Sequence, residues 1–226
     1  RRTREKGAYY LSLLEQTLKE TPDDYYARFQ VGRCLINLAD WSGAAAQLSL
    51  VTADAGARRS NPELWAAANH LLAQSWQRLG RPELAQKILE QLLDQMPEHG
   101  LSHYHRGRLA YASGKWQEAV EHLSRGLSLG WGAPVVDLDP IQTTFLAHYF
   151  LARACEELGR HHQALEHLRA ARKEDPRRAS LATDQARLLL AIGKPQAARK
   201  ELEQILNKTP GDRRARALWQ QIEASA

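Results

Sequence analysis

Residues 101–123 read LSHYHRGRLAYASGKWQEAVEHL, and the spacing within this stretch decides the fold. Gly107 is followed seven positions later by Gly114, five positions after that by Ala119, and four positions further by Leu123. A Gly just past an apolar run is a typical helix stop, so the pattern predicts two helices joined by a tight turn at Gly114. The small residues Gly107 and Ala119 would let the two helix backbones approach closely.

The same spacing recurs along the chain, which is the signature of a repeat architecture. Successive copies are 41, 34, 45 and 34 residues apart, so two copies are followed by insertions. In the first copy Ala39 replaces the central Gly. The first small residues of the five copies are Gly32, Ala73, Gly107, Ala152 and Ala186.

This 34-residue pattern resembles the tetratricopeptide repeat. Trp41 and Trp116 stand where that family favours an aromatic residue at the start of the second helix. The resemblance implies an all-α fold, a right-handed α-solenoid of stacked helix-turn-helix repeats, as a single domain over residues 1–226. Its expected parts are a leading helix at 1–24, repeats at 25–58, 66–99, 100–133, 145–178 and 179–212, and a capping helix at 213–226.

The two insertions have different compositions. The first lies near Asp54–Ser60 and precedes Ser60-Asn61-Pro62-Glu63, which predicts a helix start with Pro62 at the first position and Glu63 three residues after Ser60. The second, residues 130–140, is rich in apolar residues. Two interpretations of it stay open: a loop folded back over a core edge, or a flap that faces a ligand.

The first 40 residues carry a second, narrower resemblance. They are similar to the start of the tetratricopeptide tail behind the catalytic domain of bacterial family-2 glycosyltransferases. This implies that the chain is a non-catalytic part of a larger bacterial protein, and its start at Arg1 without Met fits that expectation. The motifs that carry the resemblance are Arg4-Glu5-Lys6, Leu13-Leu14-Glu15, Thr21-Pro22-Asp23-Asp24-Tyr25-Tyr26 and Phe29-Gln30-Val31-Gly32-Arg33.

Composition and missing motifs exclude several function classes. A net charge of +5 on 226 residues is too small to indicate nucleic-acid binding by itself. The sequence has no apolar run long enough for a membrane helix, no Gly-rich phosphate loop and no Gly-x-Ser-x-Gly elbow. We therefore expect no catalytic activity in this segment, no cofactor and no metal. With no export signal in the sequence, we expect a cytoplasmic location.

Cysteines and histidines give no sign of a reactive centre. Cys34 and Cys155 are too few for a disulfide framework, and we expect them to be buried, inert thiols. His99, His103 and His105 cluster in sequence, but no Cys or acidic ligand joins them, so ordinary helix-surface histidines are expected.

The tetratricopeptide resemblance implies that the first helices of the repeats line a concave groove. Four arginines fall at the same place in their repeats, and the first four repeats place a ring one turn earlier. A guanidinium beside such a ring can hold a carboxylate or phosphate, so we predict that the groove binds an extended polar or anionic segment of a protein or peptide. The candidate binding residues are Tyr26, Phe29, Arg33, Asn37, His70, Gln74, Tyr104, Arg108, Tyr111, Tyr149, Arg153 and Arg187.

Alternatives stay open at this point. The arginines would instead stabilise the stack if they pair with acids on neighbouring helices. If the parent protein is a glycosyltransferase, the chain would position the acceptor that receives the sugar. Single-stranded nucleic acid is the disfavoured ligand, because acidic residues interrupt the basic pieces Arg172-Lys173, Arg177-Arg178 and Arg213-Arg214-Arg216.

Overall fold

The computed structural model describes residues 2–132, 139–176 and 178–224, and within these ranges the chain forms thirteen helices and no strand. Helix starts and stops follow the predicted two-helix repeat. The helices are α1 (Arg2–Glu20), α2 (Tyr25–Asn37), α3 (Trp41–Ala53), α4 (Ala55–Ser60), α5 (Pro62–Arg78), α6 (Pro82–Gln95), α7 (Gly100–Ala112), α8 (Trp116–Leu129), α9 (Pro140–Glu157), α10 (His161–Glu174), α11 (Ala179–Ala191), α12 (Pro195–Lys208) and α13 (Arg213–Ala224).

The chain divides into two compact units. The described part of unit 1 lies within residues 2–109 and 129–132, where α1 packs on α2, α2 on α3, α3 on α5, and α5 on α6. In the described part of unit 2, residues 110–128, 139–176 and 178–224, α9 to α13 pack in chain order. The fold is therefore an all-α solenoid of helix-turn-helix repeats. The expectation of a single domain over 1–226 stays a prediction.

Each unit has an apolar core built from both helices of its hairpins. In unit 1, Phe29, Leu48 and Leu64 are fully buried in one cluster. In unit 2, Phe145 and Leu202 belong to a second fully buried cluster. Burying a large apolar side chain contributes about 1.5–3 kcal/mol, so these clusters hold the hairpins together.

Close helix packing explains the small residues at the repeat positions. A Cβ atom added at Gly32 would lie 2.7 Å from Cγ of Leu48, which is nearer than real Cβ contacts allow. Helix α2 thus approaches α3 at a distance that only Gly permits at this position. The predicted steric role of the small residues is confirmed at Gly32.

The turns between paired helices use left-handed backbone. Gly80, Gly114, Gly159 and Gly193 have φ between +71° and +74°. Ala39, which replaces Gly in the first repeat, adopts φ of 63° and is the one described residue other than Gly with positive φ. A Cβ atom makes this conformation unfavourable by about 1–2 kcal/mol, so the repeat geometry overrides the local preference of Ala39.

The first insertion forms a helix of its own. Asp54 caps α4, its Oδ1 accepting from the backbone N–H of Gly56 and Ala57. Ser60 ends α4, and Asn61 caps α5 by accepting from the N–H of Leu64 at 3.1 Å. The placement of Pro62 at the first helical position is confirmed. The residue that caps this helix start is Asn61 rather than Ser60.

Helix α9 begins earlier than the fourth predicted repeat. The repeat spacing places the start at residue 145, whereas α9 starts at Pro140 under the cap of Asp139, whose Oδ1 accepts from the N–H of Ile141 at 3.0 Å. Part of the second insertion is therefore helical. Residues 133–138, on which both interpretations of that insertion depend, lie outside the described residues.

No helix in the described part of the chain has the length and apolar content needed to cross a membrane.

Candidate functional site

Nine of the twelve predicted binding residues lie on first helices with side chains at least partly exposed. The other three, Phe29, His70 and Tyr104, are buried, with exposures of 0%, 4% and 3%. The nine are Tyr26, Arg33, Asn37, Gln74, Arg108, Tyr111, Tyr149, Arg153 and Arg187.

Phe29 and Tyr104 are packing residues, so the prediction that their rings face a groove is corrected. Phe29 lies in the core of unit 1, and the guanidinium carbon of Arg33 lies 6.0 Å from its ring centre. Tyr104 contacts the Trp131 ring edgewise at 5.5 Å, and Arg108 lies 5.5 Å above it. A large ring on the helix face toward the next hairpin fills core volume, and the arginine then covers it.

A narrow cleft in unit 1 lies between α5, α6 and α7. Apolar side chains form its floor, and polar side chains of the first helices form its rim. None of the described residues that line this cleft is acidic. The rim residues are His70, Gln74, Gln77, His105 and Arg108, and the floor residues are Ala73, Ala85, Leu89 and Leu109.

A partly buried series of hydrogen bonds leads to this cleft. The carboxylate of Glu63 lies 3.1 Å from Nε2 of His99, Nδ1 of His99 lies 2.6 Å from Oγ of Ser102, and this Oγ lies 2.9 Å from Nε2 of His70. Nδ1 of His99 also accepts from the backbone N–H of Ser102 at 3.2 Å. A backbone N–H only donates, so His99 carries its proton on Nε2 and donates it to Glu63.

The hydrogen bonds of His99 fix the tautomer of His70. The Ser102 hydroxyl donates to Nδ1 of His99, so its oxygen accepts from Nε2 of His70. Nδ1 of His70 is then left with a lone pair. Ser102 is fully buried, so the Glu63–His99–Ser102 arrangement offers no accessible nucleophile.

His105 stacks on His70, with ring centres 4.3 Å apart and planes 20° from parallel. Burial lowers the pKa of His70 well below its usual range, and the neighbouring His105 and His99 lower it further. Burial and the charge of Arg108 lower the pKa of His105 to about 3. Both rings are therefore neutral near pH 7. The expectation of an ordinary helix-surface histidine is wrong for His105, because the hairpin stack encloses its ring.

Unit 2 arranges the equivalent arginines differently. Glu156 accepts from Nη1 of Arg153 at 2.8 Å and from both Nη atoms of Arg187, the Nη2 bond being 2.9 Å long. The hydrogen bond from Arg187 lowers the pKa of the Glu156 carboxyl. Arg153 and Arg187 thus share one acid, but only Arg187 pairs with a neighbouring helix, as the alternative interpretation of a stack-stabilising role requires.

An open pocket of about 460 Å³ lies beside this ion-pair cluster, between α9, α11 and α13. Thr183 is 5% exposed, and its hydroxyl has no hydrogen-bond partner within the described residues. Burial raises the pKa of the half-buried Asp184 carboxyl. Arg214, from α13, adds an exposed guanidinium to the rim. The pocket therefore offers both hydrogen-bond donors and a carboxylate acceptor.

Sequence reasoning missed several residues of these two surfaces, namely Glu63, Ser102, Asp184 and Arg214. The sequence does contain a signal that could have identified Glu63. Glu63 and His99 are 36 residues apart, close to one repeat length, and residues at that separation lie on neighbouring hairpins.

Both cysteines are buried free thiols, as predicted. Burial raises the pKa of Cys34 and of Cys155, which keeps them protonated and weakly nucleophilic. Among the residues that the structure describes, no three His, Cys, Asp or Glu side chains converge as a metal site would need.

Residues 70–134 and residues 156–222 each match a family model described as a tetratricopeptide repeat. The chain contains tetratricopeptide repeats. These matches run from the middle of α5 through α8, and from the end of α9 through most of α13. No curated protein matches the chain in sequence.

Solved structures of tetratricopeptide proteins share the fold. YrrB, whose structure is described as that of a TPR protein with an unusual peptide-binding site, has a TM-score of 0.68 at 14% identity, over 92% of this chain and 97% of YrrB. A MamA structure has a TM-score of 0.63 at 16% identity, over 81% of this chain and 91% of MamA. MamA from Desulfovibrio magneticus RS-1 has a TM-score of 0.63 at 12% identity, over 83% and 97%. At these identities the likeness is one of fold.

Proposed function

We propose that the chain is an interaction scaffold whose first helices bind an extended polar or anionic segment of a protein or peptide. The observation that carries this proposal is that each unit has a recess lined by polar side chains of its first helices. The description of YrrB as peptide-binding supports the same class of ligand. No catalytic role is needed to explain either recess.

The cleft of unit 1 has the chemistry to bind a polar segment. The Gln74 and Gln77 amides each offer a donor and an acceptor, which match the N–H and C=O groups of an extended backbone. Arg108 adds a guanidinium, which favours carboxylate groups on the segment.

In unit 2 we expect residues next to the predicted arginines, rather than these arginines, to contact the bound segment. Arg153 and Arg187 already donate to Glu156. We therefore assign the contacts to a bound segment to Thr183, Asp184 and Arg214, whose side chains have no hydrogen bond to another described side chain.

Affinity capture from the native host tests this proposal. A protein partner retained by the wild-type chain should be lost with an Arg108→Ala/Arg214→Ala double variant, while far-UV circular dichroism and the Tm stay unchanged. Arg59→Ala/Arg216→Ala is the matched control, since both residues are exposed and line neither recess. Retention of every partner by the recess variant would contradict the proposal.

Two arginines of the basic segments that suggested nucleic acid are paired with acids in the structure. Arg172 lies 2.9 Å from Glu201, and Arg178 lies 3.3 Å from Asp175. These pairs reduce the charge offered to phosphates and support the protein-partner proposal. Arg177 lies outside the described residues.

The proposed link to a glycosyltransferase parent rests on the residues near the start of the chain. They form α1 and α2, which pack on each other, with Asp24 capping α2 through the N–H of Ala27 at 2.9 Å. A tail of this kind would position an acceptor for the parent enzyme. Finding the coding sequence of a catalytic domain immediately upstream of Arg1 would support this, and finding an unrelated domain there would contradict it.

A further inference from the structure

We propose that the unit 1 cleft is a proton-linked anion site, in which a carboxylate of the bound segment enters and His70 or His105 takes up a proton with it. The inference rests on the proposed function and adds that binding is coupled to pH. Its ligand class is an acidic side chain, Asp or Glu, of a protein or peptide.

The geometry supplies a proton acceptor at the cleft. The chain of hydrogen bonds from Glu63 through His99 and Ser102 fixes the proton of His70 on Nε2. Nδ1 of His70 therefore keeps a lone pair on a ring that lines the cleft and is 4% exposed. His105 stacks on this ring, lines the same cleft, and has no hydrogen bond to any described residue.

Burial is the main reason that the two rings are neutral without a ligand, and the charges around them add to its effect. Arg108 on α7 and His99 before it act on His105, while Tyr104 contacts it edgewise at 5.4 Å. From α6, Ala85 and Leu89 face the cleft. Glu90 of α6 pairs with Arg106 at 3.0 Å and does not line the cleft. The Glu63 carboxylate reaches His70 only through His99 and Ser102.

A second positive charge in this cleft is unfavourable because it is largely desolvated and lies near Arg108. A ligand carboxylate supplies an opposite charge at hydrogen-bond distance, and it thereby raises the proton affinity of the imidazole. Because linkage is reciprocal, a ligand carboxylate that promotes protonation of the imidazole also binds more tightly at low pH. The affinity then rises up to about tenfold for each pH unit over which one proton is taken up.

Isothermal titration calorimetry with two synthetic peptides tests the inference. The probes are acetylated and amidated hexaglutamate and hexaglutamine, titrated at pH 7.5 and 5.5 at fixed ionic strength. Two buffers with different protonation enthalpies give the number of protons taken up. We expect hexaglutamate to bind about tenfold more tightly at pH 5.5, with about one proton taken up, and hexaglutamine to show no pH dependence.

Two variants distinguish proton uptake in the cleft from proton uptake by histidines elsewhere in the chain. His105→Gln should lose most of the pH dependence, so that it binds hexaglutamate with a similar affinity at pH 7.5 and pH 5.5. His148→Gln is the matched control, because His148 is also a half-buried histidine with a pKa lowered by burial but lies outside the cleft. Circular dichroism melts at both pH values show whether each variant is folded.

Imidazole chemical shifts of the wild-type chain provide a readout that needs no variant. The His105 or His70 ring should move to its protonated position at pH 5.5 only when hexaglutamate is present. Equal affinity at both pH values, or proton uptake by other rings, would overturn the inference and leave the proposed function standing. Failure of hexaglutamate to bind at either pH overturns the inference, and the capture experiment decides the proposed function separately.

Discussion

The unit 1 cleft and the unit 2 pocket are both lined by side chains of first helices, but only the unit 2 pocket pairs its arginines with an acid. In unit 1, two neutral, stacked imidazoles lie beside Arg108, with no acid among the described lining residues. In unit 2, Arg153 and Arg187 share Glu156, and Asp184 adds a second carboxylate. Repeat spacing thus sets the position of a side chain, and the residues around it set its hydrogen-bond partners and its charge environment.

Among the substitutions, removal of the shared acid should have the largest effect on stability. Glu156→Ala leaves two half-buried guanidiniums without their acceptor, and we expect unfolding to become easier by about 2–3 kcal/mol. Urea unfolding followed by circular dichroism measures this. Gln77→Ala is the control, since Gln77 stands at the equivalent place of a unit 1 repeat, and it should change stability by less than about 0.5 kcal/mol. Equal losses of stability in Glu156→Ala and Gln77→Ala would contradict the proposed electrostatic difference between the two units.

Acid should destabilise unit 1 through its neutral histidines. The folded pKa of His70 and of His105 is lowered from the usual 6.5, so their contribution is fully present above pH 6.5 and is lost as the pH falls below it. Between pH 6.5 and 5.0 each ring that stays neutral lowers stability by about 2 kcal/mol. Hydrogen exchange at both pH values should show faster opening of α5 at pH 5.0, reduced in His105→Gln. An opening free energy of α5 that is the same at both pH values, once the pH dependence of the intrinsic exchange rate is corrected for, would be the contrary result.

The turns between paired helices differ by one residue type. Ala39→Gly should stabilise the chain by about 0.5–1 kcal/mol, because Gly adopts positive φ without the penalty that Ala incurs. Gly159→Ala in unit 2 should cost a similar amount, although nothing lies within 4 Å of an added Cβ atom there. Thermal unfolding of both variants checks the opposite signs, and changes of the same sign would contradict the account.

The smallest effect on stability is expected at Arg214. Arg214→Ala should leave the unfolding midpoint within about 0.5 kcal/mol of wild type, because its side chain is exposed. Binding of a captured partner should still weaken about tenfold, the value of one lost charged hydrogen bond. Arg216→Ala, on the same helix and outside the pocket, should change neither quantity. A partner affinity that is equal in both variants would remove Arg214 from the site.

The fold could be predicted from local spacing because its determinants are local. The positive φ of Gly114, Gly159 and Gly193 and the contact of Gly32 with Leu48 follow from the residue types that such turns and crossings need. The start of α9 was misplaced although the signal was present. Asp139-Pro140 is a strong helix start, but the repeat arithmetic favoured residue 145.

The chemistry of the recesses could be predicted only in part. The places of Arg108, Arg153 and Arg187 follow from the repeat, but pairing of two arginines with Glu156 depends on side-chain reach across two helices. Phe29 and Tyr104 were placed in the groove because their spacing is right, and burial of an aromatic ring in the next hairpin was not visible in that spacing. The hydrogen bonds that link Glu63 to His70 connect two helices and the turn before the second of them. No local sequence pattern specifies such a connection.

The most direct test of the central claim, that the first helices bind the partner, is photo-crosslinking from single sites. A benzophenone amino acid is placed at Gln77, exposed on α5, or at Lys87, exposed on α6, and the captured partner is present during irradiation. Crosslinks to the partner from position 77 and none from position 87 are the predicted result. Crosslinks from position 87 alone would place the partner on the second helices and contradict the account.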